Sequence, residues 1–209
     1  HDGYCLWDTG TDEFNAALTG PRRDLVAEYV DAVRRRGLGV GLYYSLVNWR
    51  WHGFWDPARY PDDLPRMVEE VHTQIRELLS DYGKIDILWY DGRAVPGGHT
   101  PGDYGHETTP VETTTPEFYR AEELNAMARS LQPHMLINNR SGLPEDFGTP
   151  EQHTTPAEGG AAWEACMTVN FAPNWANVHR SVADKSVGQL LFHLMEAVRN
   201  GGNFLLNVG

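Results

Sequence analysis

Short apolar segments alternate with longer amphipathic ones along most of this chain. The short segments have the length and composition of buried β-strands, and the longer ones have the apolar spacing of helices. Such alternation predicts parallel strands that are joined by helical crossovers. We predict strands at residues 1–7, 39–45, 85–91, 134–138, 163–169 and 203–208, and helices at residues 21–36, 64–82, 116–131 and 184–199.

The positions of the glycines distinguish between an open doubly wound sheet and a closed (β/α)8 barrel, the two parallel α/β architectures that fit this alternation. An open doubly wound sheet usually carries a glycine-rich phosphate loop in its first strand-to-helix turn. Here Gly37-Leu38-Gly39 precedes a strand, which is the wrong context for that loop. We therefore predict an α/β fold of the (β/α)8-like TIM-barrel type. Residues 1–209 supply about six of its eight strands, so we expect a partial barrel that begins inside a strand.

Composition and charge exclude two classes of partner. The chain has 17 Lys and Arg against 29 Asp and Glu, which gives a net charge of −12. Such a surface repels phosphate backbones, so nucleic acid is not an expected partner. The sequence has no apolar run long enough to span a membrane. Cys5 and Cys166 both lie in apolar stretches, which predicts buried free thiols.

Asp91 is the leading candidate for a chemical role. It closes the apolar run Ile85-Asp86-Ile87-Leu88-Trp89-Tyr90-Asp91, and Gly92 follows it. Because alternate residues of a strand share a face, Trp89 and Asp91 point the same way at the carboxyl end. Parallel α/β folds place their chemistry at that end. The structural alternative is an Asp that begins a turn with Gly92.

Polar residues follow several other predicted strands, and a barrel gathers such residues at one face. Two converging carboxylates suit glycoside hydrolysis, because one attacks the sugar or activates water while the other protonates the leaving oxygen. The histidines lack a zinc-binding spacing, and there is no Gly-x-Ser-x-Gly, so zinc and serine hydrolases are disfavoured. The strand-end residues are His1, Tyr43, Tyr44, Asp91, Arg140, Glu151 and Glu164.

Nine segments resemble α-L-fucosidases of glycoside hydrolase family 29, in order and with similar spacing. Examples are Leu88-Trp89-Tyr90-Asp91-Gly92 and the stretch from Asp146 to Gln152. Any one segment is weak evidence, whereas nine in series are specific. The family's N-terminal barrel strands and its C-terminal β-sandwich have no counterpart in residues 1–209. The nine segments are residues 1–8, 22–26, 41–45, 82–86, 88–92, 137–140, 146–152, 163–168 and 200–209.

The resemblance implies a retaining exo-α-L-fucosidase that releases terminal α-L-fucosyl residues from glycans. On the matching positions, Asp91 is the nucleophile and Glu151 is the acid/base. The resemblance also implies that no metal or organic cofactor is needed, that the partner is a fucosylated glycan, and that the protein is secreted, periplasmic or lysosomal. The implied sugar-contacting residues are His1, Tyr43, Trp89 and Arg140.

Other interpretations stay open from the sequence. The chain could be a sugar-binding barrel that has lost turnover, although both carboxylates remain. It could also act on another α-linked sugar, such as an α-L-galactoside. Glu164 could be the acid/base, although we favour a structural role at a strand start. The tryptophan-rich loop at residues 49–55 could line the mouth of a pocket or cap a helix layer.

Overall fold

The computed structural model describes residues 1–92, 116–156, 160–171, 175 and 183–208. These residues form two compact units, His1–Leu143 and Pro144–Gly209. Each unit contains a three-stranded parallel sheet. A long loop rich in Gly, Pro and Thr is predicted between residues 92 and 115, and from residue 93 onward it lies outside the described residues.

The first unit is a parallel sheet with helical connections. Its strands are β1 (Gly41–Ser45), β2 (Ile87–Asp91) and β3 (Leu136–Ile137), and its helices are α1 (Leu25–Arg35), α2 (His52–Trp55), α3 (Asp63–Ser80) and α4 (Ala121–Leu131). The strand order in the sheet is β1-β2-β3, and Tyr43 pairs with Trp89 while Ser45 pairs with Asp91. This register sets the carboxyl ends of β1 and β2 side by side.

One face of this sheet belongs to the core of the unit. Leu42, Tyr44, Leu88 and Tyr90 are buried in one apolar cluster together with the inner face of α3. Removal of apolar surface from water contributes roughly 25 cal/mol per Å² and is the main force that holds these layers together. Because side chains alternate along a strand, the intervening residues of β1 and β2 face the other way. That second face carries the candidate site.

Two polar side chains hold α1 in place, one at its N-terminus and one in its last turn. Asp24 caps its N-terminus by accepting a hydrogen bond from the backbone N–H of Ala27 at 2.8 Å, a cap that is typically worth about 1 kcal/mol. The helix therefore begins after Asp24 and not at Pro21, which corrects the sequence prediction. Near the other end, Arg34 donates to the carbonyl of Tyr82 at 2.6 Å and so ties α1 to the turn before β2.

The second unit contains the strands β4 (Phe147–Gly148), β5 (Ala162–Thr168) and β6 (Asn203–Asn207), in the order β4-β5-β6, and the helix α5 (Val187–Arg199). Ser186 and Gln189 form a capping box at the start of α5. Trp163 is buried in the small core of this unit. A Cβ at Gly202 would stand 2.4 Å from the Trp163 indole, so the indole requires glycine there.

The structure also corrects other parts of the predicted layout, among them the short helix α2, which was not predicted. Residues 1–7 are not a strand, because only an isolated bridge joins Cys5 to Asn15. The two-residue strand β4 is too short to show a periodic pattern and was not predicted. Neither sheet closes into a barrel within the described residues. The alternating, parallel α/β character is confirmed, and the other five predicted strands and all four predicted helices are present.

Both cysteines are free and buried, as predicted. Burial, reinforced by the nearby carboxylates of Glu70, Asp12 and Glu77, raises the pKa of the Cys5 thiol to about 12. The thiol therefore stays protonated and unreactive near neutral pH. Among the described residues, none of the helices combines the length and the apolar composition of a membrane-spanning segment.

Candidate active site

Asp91 lies at the carboxyl end of β2, and both of its carboxylate oxygens are engaged. Arg140 Nη1 donates to Oδ1 at 2.7 Å, and the Tyr43 hydroxyl donates to Oδ2 at 2.7 Å. A charge-assisted hydrogen bond of this kind is stronger than a neutral one. The Asp91 side chain is 23% exposed, so the carboxylate is held in one orientation while still open to a ligand.

Trp89 supports the two residues that hold Asp91. Its ring stacks on Tyr43 with centroids 5.8 Å apart, and the Arg140 guanidinium lies 4.6 Å from its centroid. Trp89 is only 8% exposed, whereas Tyr43 is 57% exposed. Tyr43 therefore presents an aromatic ring to solvent, as a sugar-stacking residue must. Because Trp89 is nearly buried, it can orient Tyr43 and Arg140 but exposes little ring surface to a ligand.

Asn138 brings Arg140 to Asp91. Its side chain accepts from the Tyr90 N–H at 3.0 Å and donates to the Tyr90 carbonyl at 2.9 Å, so it continues the pairing of β2 and β3 beyond the last paired residue. The chain then forms a short 3-10 turn, Asn139–Ser141, in which Arg140 is buried. Sequence reasoning did not assign Asn138 a role. The available signal was an amide directly after a strand and two residues before an arginine.

His1 approaches the same carboxylate from another side. Its Nδ1 is hydrogen-bonded to Ser45 Oγ, and that hydroxyl donates its single proton to the Val47 carbonyl at 2.7 Å. Nδ1 must therefore be the donor, which leaves Nε2 of the neutral ring as an acceptor. Nε2 stands 3.8 Å from Asp91 Oδ2. Ser45 was missed as a site residue, although it shares the face of Tyr43 and pairs in register with Asp91.

The aromatic loop contributes one exposed ring to this region. Trp49 is 37% exposed and packs edge-on against the His1 ring, with centroids 5.0 Å apart. Its backbone N–H donates to the His1 carbonyl at 2.9 Å, and its own carbonyl accepts from Trp55 Nε1 at 2.9 Å. Phe54, by contrast, is fully buried. Trp49 therefore lies beside His1, whereas Phe54 packs in the apolar core of the unit.

The two candidate acids, Glu151 and Glu164, belong to the second unit. Glu151 is exposed and follows β4, where it forms an isolated parallel bridge with Cys166. Backbone hydrogen bonds of 2.8 Å from Cys166 to Pro150 and from Gln152 to Cys166 fix this stretch. Glu164 is half-buried inside β5, opposite Asn203. The first unit thus brings together His1, Tyr43, Trp89, Asp91 and Arg140, and the role of Glu151 stays a prediction.

The chemistry of this cluster suits a polyhydroxylated ring. It combines one carboxylate, a buried cation, an imidazole acceptor and an exposed aromatic ring, the groups that bind hydroxyls and the apolar face of a sugar. Within the described residues, no group of three or more His, Cys, Asp or Glu side chains is arranged to hold a metal ion.

Comparisons with known proteins agree with this reading. The family model described as alpha-L-fucosidase matches residues 1–209. The chain is 26% identical over 219 residues to the alpha-L-fucosidase of Dictyostelium discoideum, and the match covers 100% of this chain and 44% of that protein. The chain therefore spans less than half the length of this curated relative.

Solved structures show the same relationship. Alpha-L-fucosidase isoenzyme 1 from Paenibacillus thiaminolyticus is 35% identical, with a TM-score of 0.77, over 100% of this chain and 52% of that one. A trapped covalent intermediate of an alpha-L-fucosidase from Bacteroides thetaiotaomicron shares the fold at 23% identity, with a TM-score of 0.79, over 99% of this chain and 49% of that one. Because the family model matches residues 1–209, this chain belongs to the alpha-L-fucosidase family.

Proposed function

We propose that the protein containing this chain is a retaining exo-α-L-fucosidase that hydrolyses terminal α-L-fucosyl residues from glycans, with Asp91 as its nucleophile. The observation that carries the proposal is the Asp91 carboxylate, which is partly exposed at a strand end and held through both oxygens by Arg140 and Tyr43. Family membership supports the choice of sugar.

The reaction has two steps. In the first, an Asp91 oxygen attacks the anomeric carbon, the bond to the leaving oxygen breaks, and Glu151 gives its proton to that oxygen. In the second, Glu151 takes a proton from water, the water oxygen attacks the anomeric carbon, and the ester to Asp91 breaks. The products are the freed glycan and fucose with its original anomeric configuration.

The geometry around Asp91 suits the first step. Each carboxylate oxygen accepts one described hydrogen bond and keeps a second lone pair. Orientation by Arg140 and Tyr43 lowers the entropic cost of attack. His1 Nε2 can accept a bond from a sugar hydroxyl, and the exposed Tyr43 ring can cover an apolar sugar face.

We also propose a (β/α)8-like barrel fold for the protein that contains this chain. The resemblance supports this fold, as do the parallel strands and helical crossovers of both units. In a barrel, the residues that follow strand ends meet at one face. Retaining glycosidases in general hold their two catalytic carboxyl groups about 5–5.5 Å apart.

Trapping of the covalent intermediate tests the proposal. The reagent is 2-fluoro-fucosyl fluoride, which was used on the Bacteroides enzyme, applied to the natural polypeptide that contains this chain. We expect mass spectrometry to find the label on the peptide with Asp91. A label on another carboxylate would overturn the assignment. Fucose binding without turnover would indicate a sugar-binding barrel, and faster hydrolysis of an α-L-galactoside would indicate a different substrate.

A further inference from the structure

A carboxylate on α3 supports the loop that carries Trp49. Glu70 accepts three side-chain hydrogen bonds, from Asn48 Nδ2 at 3.1 Å, from Trp51 Nε1 at 3.0 Å and from Gln74 Nε2 at 3.1 Å. Two of these donors, Asn48 and Trp51, come from the loop after β1, on either side of Trp49. Glu70 therefore fixes this loop at two points.

Asn48 transmits that restraint to the segment that carries His1. Its side chain lies directly against Gly3, where a Cβ would stand 2.3 Å from Asn48 Oδ1. Gly3 has a φ of +73°, a conformation that glycine adopts without strain. The same Oδ1 accepts from the Arg50 N–H at 3.0 Å. Asn48 is thus held by Glu70 on one side and packs on the His1 segment on the other.

Trp49 makes the second link to His1. Its backbone N–H donates to the His1 carbonyl, and its ring packs on the imidazole. A shift of the loop therefore moves both the backbone and the ring of His1. The imidazole Nε2 is the group of His1 that stands beside the Asp91 carboxylate.

We infer that Glu70 is a positioning residue for the sugar site, which acts through Asn48 and Trp49 to hold His1 beside Asp91. This role rests on the proposed function, since it assumes that His1 binds a sugar hydroxyl. Glu70 does not take part in the chemical steps. Its loss is expected to weaken sugar binding more than it slows turnover, so KM changes more than kcat.

Glu77 provides a matched control on the same helix. It also accepts three hydrogen bonds, from Trp7 Nε1 at 2.9 Å, from Thr9 Oγ1 at 2.7 Å and from the Gly10 N–H at 2.9 Å. These donors belong to residues 7–10 and not to the loop or to the His1 end. Glu77 is therefore a control for Glu70, because it is a carboxylate on α3 with as many described hydrogen bonds, none of them from the loop or from His1.

The kinetic test compares Glu70→Gln with Glu77→Gln in the natural polypeptide that contains this chain. A glutamine at position 70 cannot accept all three hydrogen bonds, because its NH2 group would face a donor. We expect Glu70→Gln to lower kcat/KM for an aryl α-L-fucoside about tenfold, mainly through KM. Glu77→Gln should lower the Tm but leave kcat/KM within about twofold of the wild type. Equal kinetic losses in both variants would overturn the inference.

A double-mutant cycle tests the path through Asn48. If Glu70 acts through this residue, the kinetic losses of Glu70→Gln and Asn48→Ala are expected to be non-additive, since they remove the same link. Additive losses would contradict the path. If Glu70→Gln does not fold, Asn48→Ala serves as the second test, because it removes the same link from the side of Asn48. Asn48→Ala alone is then expected to raise KM. An unchanged KM would overturn the inference.

Hydrogen exchange gives a readout that needs no turnover. The Trp49 N–H is protected by the His1 carbonyl, so Glu70→Gln should speed exchange in the peptide that contains Trp49, and Glu77→Gln should not. A protein that hydrolyses no fucoside but shows this pattern would refute the proposed function while keeping the positioning role of Glu70. Unchanged exchange in Glu70→Gln would refute that role.

Discussion

The hydroxyl of Tyr43 and the carboxylate of Asp91 are joined by a 2.7 Å hydrogen bond across two paired parallel strands. Asp91 pairs with Ser45, and Tyr43 lies two residues before Ser45 on the same face of β1. The Tyr43 hydroxyl therefore reaches the Asp91 carboxylate diagonally from one strand to the other. This bond joins the most exposed aromatic side chain of the site to the proposed nucleophile.

Replacement of Tyr43 by phenylalanine removes this hydrogen bond and keeps the ring. We expect kcat/KM to fall about 10- to 100-fold, because a hydrogen bond to a charged group is worth about 1.5–3 kcal/mol. Tyr44→Phe is the control, since the buried Tyr44 hydroxyl bonds to Gln74 on the opposite face of β1. It should cost about 1 kcal/mol of stability with little kinetic effect. A Tyr43→Phe enzyme as active as the wild type would contradict the proposed role.

Asp91→Gly should abolish hydrolysis while the protein stays folded. The vacated space can admit a small anion, so added azide should restore part of the rate with an activated fucoside. Because azide attacks directly, the fucosyl azide should have the inverted configuration, which NMR of the product can establish. Formation of the retained anomer would show that another group is the nucleophile.

Glu151→Ala is expected to discriminate between leaving groups. Activated aryl fucosides need little protonation, whereas natural glycosides depend on a general acid. We therefore expect the rate on a fucosyl disaccharide to fall far more than the rate on an activated aryl fucoside. Glu164→Gln is the comparison variant. If Glu164→Gln shows this larger loss on the disaccharide and Glu151→Ala does not, Glu164 and not Glu151 is the acid/base.

Glu70 is expected to affect stability in a pH-dependent way. Burial, with help from the Asp12 carboxylate, raises the pKa of Glu70, while hydrogen bonds from Trp51 and Asn48 oppose the rise. The folded state then binds more protons than the unfolded state, whose Glu pKa is about 4.3. The contribution of Glu70 is therefore most favourable below about pH 4.3 and decreases as the pH rises through the folded pKa.

The measurement for this pH dependence is the Tm of the wild type minus that of Glu70→Gln at several pH values. The difference should decrease as the pH rises from about 4 toward neutrality and then become constant. A difference that grows with pH over this range would mean that folding lowers the pKa of Glu70.

Gly92 should resist substitution because it follows Asp91, the proposed nucleophile, in a conformation that favours glycine. Its φ is +92°, and a Cβ would stand 2.6 Å from Val47 Cγ2. We expect Gly92→Ala to cost about 1–3 kcal/mol of stability and to reduce activity by displacing Asp91. Gly37→Ala is the control, with a φ of +68° and nothing within 4 Å of its Cβ. Equal losses of stability in thermal melts would show that contact with Val47 has no effect.

Much of the secondary structure followed from local pattern. The apolar run that ends at Asp91 and the helical stripe after Asp24 have periods that only a strand and a helix can bury. Tyr43, Trp89 and Asp91 also converge, because paired parallel strands place their carboxyl ends at one edge. His1 reaches the same edge from outside any strand. The strand predicted for residues 1–7 failed, since a short apolar segment carries no information on whether a partner strand lies beside it.

Strand period and polarity are local properties, so the sequence shows which strands end in polar groups and that Asp91 is foremost among them. How those groups are held depends on contacts that form only in the folded chain. Register brought Tyr43 to one oxygen of Asp91, the amide of Asn138 brought Arg140 to the other, and Ser45 set the tautomer of His1. These contacts join residues that are distant along the chain, so packing and hydrogen-bond satisfaction select them, and no local pattern records them.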